Sequence, residues 1–356
     1  MDTNIEITNI NKHIVLSHSK NDPKNNMNKR YNTKIVNYDF YSINEVKMSE
    51  KIKKLPYYSN HYIIVEDYEF VNIGQLNDKF IEKLALTTEN KYLLFTYKND
   101  ILVDFNDFLF ALLKPTFFIH HIIDSFSYIL NNLIQLNDIG ICFFNLSPQN
   151  IVFNIDYGEK PQLMDFQLSL ITSNLNEDYI SKIIKKHNDY THKPLEVHVL
   201  FYLIQNNMST ISYSFIEEIC DIFTKNLTVL DLFSEKYRES YKLTAIESLK
   251  KYINTPKNDI ILDILSKYET WDVYSLSVLY LYIFGHVSKF FSLKTTFINK
   301  IAMELSKNIH PDPSKRNSLK NLLDNYNNLF SCEKTWDFVT KLETNMMPQL
   351  FDTLGL

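Results

Sequence analysis

Apolar residues come in short runs over the first hundred positions and at helical spacing after them. His13–Ser17, Tyr62–Val65, Phe70–Ile73 and Tyr92–Tyr97 are apolar or aromatic runs of strand length between polar turns, and they predict a small antiparallel sheet. Ser19-Lys-Asn-Asp-Pro-Lys-Asn-Asn reads as a turn or flexible segment. Ser42-Ile-Asn-Glu45 reads as a capping box opening a helix with Val46, Met48, Ile52 and Leu55 as its apolar residues, ended by Pro56. Further on, Phe117–Leu136 sets Ile119, Ile122, Ile123, Phe126, Leu130, Leu133 and Ile134 on one broad face of a long helix. Ser214-Phe-Ile-Glu217 is a second capping box, followed by Ile216, Ile219, Ile222 and Phe223, and Leu243, Ile246 and Leu249 mark another helix. The apolar run Val278–Phe284 suits a buried core helix. Between the two regimes, Gly140–Leu168 reads as a compact hairpin: an apolar strand, a polar loop ending in Asn150, a strand at Ile151–Phe153 and a turn into Asp165. The stretch 168–193 is polar and loop-like, and 318–356 ends the chain with further helices.

At 356 residues and 45% hydrophobic, the chain can bury a large core as one two-lobed domain or two. A net charge of −5, with no basic block beyond Lys51–Lys54, gives no electrostatic reason to expect nucleic acid. Cys142, Cys220 and Cys332 are too few and too scattered for a disulfide framework or a zinc site, so a reducing compartment is expected. His120 and His121 are adjacent and do not share the face that paired metal ligation requires. No apolar run reaches membrane-spanning length and the N-terminus carries no hydrophobic stretch of signal-peptide type, which points to a cytoplasmic protein with no membrane contact.

The chemistry sits in Phe143-Phe-Asn-Leu-Ser-Pro-Gln-Asn150 and Asp165-Phe-Gln167. These stretches resemble the catalytic loop and metal-binding turn of the protein kinase family, His-Arg-Asp-Leu-x-x-x-x-Asn followed by Asp-Phe-Gly. Other stretches fall in the family's order: Lys34 in Asn-Thr-Lys-Ile-Val ahead of Glu45, Leu93-Leu-Phe-Thr-Tyr-Lys, His192-Lys-Pro-Leu-Glu196, Trp271-Asp-Val-Tyr and His310-Pro-Asp-Pro-Ser-Lys-Arg316. The resemblance implies an α+β, two-lobed fold. Its parts would be an N-terminal extension with degenerate first strands (1–30), a lobe with a small antiparallel sheet and one helix (31–99), a helical lobe (100–330) with a helical insertion (200–268), and a helical tail (331–356). It also implies an interlobe site for ATP and Mg²⁺. Lys34 would hold phosphates and pair with Glu45, with Glu50 a second candidate. Phe95, the backbone of Thr96, Tyr97 and Lys98 at a hinge, and Val152 would surround the nucleotide, and Asn150 and Asp165 would ligate the metal. Glu196 and Arg316 would form a structural ion pair, and Asp272 would tie down the catalytic-loop backbone.

The departures from the family bear on activity. Asn145 stands in the place of the catalytic Asp, and its amide cannot accept the acceptor hydroxyl's proton, a loss of about 10²–10⁴ in rate. Ser147 lacks a cation, Phe144 replaces the Arg that reads a phosphorylated loop, and no Gly occurs where a phosphate loop belongs. Gln167 replaces a permissive Gly, which makes any φ > 0 there costly. The expectation is a pseudokinase that serves a protein client as scaffold or regulator. The alternatives are a slow Ser/Thr protein kinase, in which a carboxylate such as Asp138 or the substrate itself replaces the base, and a helical interaction protein without nucleotide. The 200–268 insertion reads either as an enlarged core or as a docking surface. The bias toward Tyr, Asn, Ile and Lys resembles divergent kinases of large DNA viruses, which would make the compartment a host cytoplasm.

Overall fold

The structure, a computed structural model, describes residues 6–10, 13–21, 28–75, 81–82, 84–98, 100–186, 192–206, 208–291, 296–333, 336–340 and 343–354, with backbone alone to residue 30. In chain order come β1 (Glu6–Ile10), β2 (His13–Asn21), β3 (Asn28–Asn37), α1 (Phe40–Ile52), β4 (Asp67–Phe70), β5 (Tyr92–Lys98), β6 (Leu102–Asp104), α2 (Phe105–Ala111), α3 (Pro115–Asp138), β7 (Ile141–Cys142), β8 (Ile151–Asn154), β9 (Lys160–Leu163) and β10 (Leu170–Ile171). Helices follow: α4 (Glu177–Lys186), α5 (Leu195–Gln205), α6 (Tyr213–Asn226), α7 (Glu235–Leu249), α8 (Lys257–Leu265), α9 (Trp271–Phe290), α10 (Phe297–Asn308), α11 (Leu319–Cys332), α12 (Asp337–Thr340) and α13 (Met347–Leu354). The chain is thus α+β, mainly helical with small antiparallel sheets. It divides into two compact units, Met1–Asp104 with Gln149–Ser169, and Phe105–Pro148 with Leu170–Leu356.

The first unit holds a five-stranded sheet in the order β1-β2-β3-β5-β4, antiparallel throughout, and a three-stranded sheet β6-β8-β9. In the β3–β5 register Asn32, Lys34 and Val36 lie opposite Tyr97, Phe95 and Leu93. Directly opposed residues project to one side and alternate along each strand, so these six share a face. Val36 and Tyr97 pack there against a buried cluster of Val46, Val65, Leu93 and Phe95, so α1, which supplies Val46, covers that face. The helix starts earlier than its sequence suggests. Asp39 is the N-cap: its Oδ1 accepts from the Tyr41 and Ser42 amides at 2.9 Å each, and Ser42 Oγ accepts from the Asp39 amide at 3.1 Å. Ser42 is therefore the third helical residue of the box, and Glu45 is released from capping.

Other expectations shift too. β4 is Asp67–Phe70 rather than Phe70–Ile73, and Tyr62–Val65 is no strand, contributing one bridge from Tyr62 to Leu163 although Tyr62, Ile64 and Val65 are buried. Ser19–Asn21 belong to β2; the rest of that expected turn lies outside the described residues. The expected hairpin is two separate pairings: β8 pairs with β9 in the first unit, and β7 pairs with β10 in the second. Ladder partners are chosen by tertiary context, and sequence adjacency misleads here.

The second unit is built round α9, buried on nearly every side, as its apolar run predicts. Helix α3 buries Ile119, Ile122, Ile123, Phe126, Leu130 and Leu133, and Gly140 just beyond it takes φ 74, the left-handed conformation that ends many helices. The 168–193 stretch contains α4, whose Ile180, Ile183 and Ile184 form an i, i+3, i+4 apolar stripe missed in the sequence; residues 187–191 lie outside the described residues. In 200–268, Ser212 rather than Ser214 caps α6. Helices α6–α8 bury Phe215, Ile216, Ile219, Ile246, Leu249 and Ile264, whereas Ile222 and Leu243, expected on apolar faces, are exposed. Among the described residues no helix is long and apolar enough to cross a membrane.

The capping geometry gives a direct test. Asp39→Ala should lower stability by about 1 kcal/mol, the usual worth of an N-cap, seen as a lower denaturant midpoint at unchanged slope. Glu45→Gln should leave the helix start intact; a larger loss of α1 amide protection in Glu45→Gln than in Asp39→Ala would restore the box at Ser42.

Candidate functional site

In the first unit the sheet face and α1 bring Lys34, Glu45, Phe95 and Tyr97 together. Glu45 is buried, whereas Glu50 is exposed, so Glu45 is the acid that faces the sheet. The expected Lys34–Glu45 ion pair is not formed among the described residues. Instead the Tyr97 hydroxyl donates to Glu45 Oε1 at 3.3 Å. Burial, followed by the charges of Glu45 and Asp165, holds the Tyr97 phenol well above its ordinary pKa, so it stays a neutral donor. Tyr97 was expected to act through its backbone. The signal for its side-chain role was the period of two that aligns it with Phe95, itself fully buried.

Thr96, Tyr97 and Lys98 lie inside β5, in register with Thr33, Asn32 and Tyr31, and the Thr96 carbonyl accepts from the Glu66 amide at 2.8 Å. This corrects their placement in a hinge: β5 runs through Lys98. Val152 is buried in β8 between Asp104 and Gln162.

Asn150 closes a 3₁₀ turn, is buried, and accepts the Met164 amide on its carbonyl at 3.0 Å, next to the register pair Ile151–Leu163. The ladder thereby sets Asp165 one residue beyond Asn150's neighbour. Asp165 has φ 63, ψ 71, a left-handed conformation that only a constrained non-glycine residue adopts. Gln167, by contrast, sits within the 3₁₀ turn Phe166–Leu168 and its φ is not positive, so the missing Gly costs nothing in this conformation. The turn is tied to α1 by Asn44, whose Nδ2 donates to the carbonyls of Gln167 at 3.0 Å and Ser169 at 2.9 Å. Sequence reading passed over Asn44. The carboxylate of Asp165 and the amide oxygen of Asn150 suit a hard cation such as Mg²⁺, whose other ligands are commonly water and phosphate oxygens. Among the described residues no group of three or more His, Cys, Asp or Glu gathers to hold a metal by protein ligands alone.

The second unit holds the rest. Asp272, buried in the first turn of α9, accepts the amides of Phe143 at 2.8 Å and Phe144 at 2.7 Å. Burial pushes its carboxyl pKa up, and these two donors oppose that shift. Phe144 has φ 61. Asn145 is half-buried with no side-chain hydrogen bond among the described residues. Asp138, weighed as a substitute base, is engaged in a half-exposed ion pair with Lys320 at 2.7 Å.

Arg316 meets Glu196 as a bidentate pair, Nη1 to Oε1 at 2.6 Å and Nη2 to Oε2 at 2.9 Å. Its remaining donors reach Thr270 Oγ1 and the carbonyls of His310 and Pro311, so all five guanidinium N–H groups are used.

No protein-family model and no curated protein matches the sequence. Among solved structures, the twitchin kinase region from C. elegans (Fn31-NL-kin-CRD-Ig26) is similar at 11% identity and a TM-score of 0.49, over 99% of this chain and 50% of that one. The chain thus spans half the length of that structure.

Removing one partner of a buried charge pair strands the other. Arg316→Met should therefore destabilise the protein by about 3–5 kcal/mol, and the double variant Arg316→Met/Glu196→Leu should recover much of that loss in urea unfolding. Equal losses in the single and double variants would show that packing, not the stranded carboxylate, sets the cost.

Proposed function

We propose that this chain is a pseudokinase, a protein-kinase-like molecule in which phosphotransfer is lost or strongly reduced and whose role is to serve a protein client as scaffold or regulator. The carrying observation is the Asp272 clamp on the Phe143 and Phe144 amides. It joins the two stretches that the kinase pattern requires to meet, 128 or more positions apart in the chain. The Glu196–Arg316 pair supports the same reading from two further motifs.

Loss of transfer follows from the acceptor side. Asn145 offers an amide where proton acceptance is needed, and positioning alone supplies only part of the rate. On the nucleotide side, Glu45 is engaged by Tyr97, and Lys34 makes no ion pair among the described residues, so its ammonium is available to phosphate oxygens. ATP with Mg²⁺ is the ligand this chemistry favours: Lys34 for phosphate, Asn150 and Asp165 for the ion, which would neutralise phosphate charge when bound.

Two measurements test the reading. ATP with Mg²⁺ at 100 times Kd should stabilise the protein by about 2.7 kcal/mol in a thermal-shift titration, and Lys34→Met should abolish the shift. No shift at millimolar ATP would favour an interaction protein without nucleotide. With labelled ATP, Mg²⁺ and generic Ser/Thr acceptors, wild type and Asn145→Asp should both stay near background, because catalytic groups act as a unit and one repair recovers little. Robust wild-type turnover abolished by Asp165→Ala would establish a slow kinase instead.

A further inference from the structure

In the second unit a lysine is buried where the 170–193 segment ends. Lys193 is 2% exposed, and its ammonium lies 4.4 Å from the centroid of the Phe144 ring. That ring lies 5.4 Å from Trp271, the residue before Asp272. A desolvated ammonium is expensive to bury unless opposite charge or an aromatic face compensates it. Both are present here: the Phe144 ring offers its π face, and the Lys193 charge opposes the burial that pushes the Asp272 carboxyl pKa up.

The backbone on either side is fixed as well. The His192 carbonyl accepts from Ser275 Oγ at 2.7 Å, the Lys193 carbonyl lies 3.2 Å from His198 Nε2, and Glu196 follows in its pair with Arg316. Earlier in the segment, Thr172 Oγ1 donates to the Gly140 carbonyl and the Tyr179 hydroxyl accepts the Ile171 amide. Phosphorylation orders a segment by giving a cation something to bind. In this chain the cation comes from the segment itself, and the loop at Phe144 supplies the ring.

We propose that Lys193 is a built-in counter-ion that fastens the end of the 170–193 segment to the Phe143–Asn145 loop, so that this end is ordered without phosphorylation. The proposal assumes neither nucleotide binding nor its absence, and its failure would leave the pseudokinase reading standing.

The test is hydrogen exchange on the full chain, shown by intact mass to carry no phosphate. Wild type should be protected at 143–145 and 192–200. Lys193→Met should raise exchange at least tenfold at both stretches and leave α6 and α7 unchanged, while Lys193→Arg, which keeps a cation able to stack on the ring, should stay within threefold of wild type. Unprotected wild type, a Lys193→Met variant that exchanges like wild type, faster exchange spread evenly through α6 and α7, or a Lys193→Arg variant as loose as Lys193→Met would each overturn it. If Lys193→Met does not fold, Phe144→Leu decides: loosening at both stretches supports the proposal, and wild-type exchange at both refutes it.

Discussion

Buried charge that must be compensated is the constraint on which the second unit depends. Asp272, Lys193, Glu196 and Arg316 are all buried, and each would be costly alone in a medium that solvates charge poorly. Most of their partners lie on stretches far apart in sequence: the amides of Phe143 and Phe144 for Asp272, Glu196 and Thr270 for Arg316, and the Phe144 ring for Lys193, while the carbonyls of His310 and Pro311 serve Arg316 from its own stretch. Because local groups alone do not neutralise these charges, the segments have to arrive together. Phe144, whose amide is held by Asp272, also takes the left-handed conformation that a bulky side chain usually avoids.

The first unit solves a different problem. Its sheet buries a small apolar cluster under α1, and the polar residues at the margin of that cluster take the contacts nearest to hand. Tyr97 reaches Glu45, Asn44 reaches the turn after Asp165, and Ser49 Oγ accepts the Val65 amide at 3.1 Å. Helix α1 is thus tied to β5, to the 165–169 turn and to the 62–66 stretch by its own side chains. A nucleotide entering here would meet a helix already held in place, beside Lys34, which makes no ion pair among the described residues.

The sequence by itself determined what depends on local period and on motif identity. The face of α3, the all-round burial of α9, β5, the existence of α1, the Glu196–Arg316 pair and the hold of Asp272 on the 143–144 backbone were legible, because side-chain spacing and residue chemistry are properties of the chain alone. Elsewhere only the tertiary structure decided which group meets which. Two overlapping boxes, Asp39 with Ser42 and Ser42 with Glu45, are locally near-equivalent, and burial of Glu45 beside Tyr97 accompanies the first. Strands β7 and β8 are neighbours in sequence, yet each finds its ladder partner elsewhere. Likewise nothing local told that a hydroxyl from β5, rather than the ammonium of Lys34, would reach Glu45, or that Lys193 would be buried over Phe144. Such choices are settled by competition among long-range partners for a few buried polar groups, and that competition takes place only after the chain has packed.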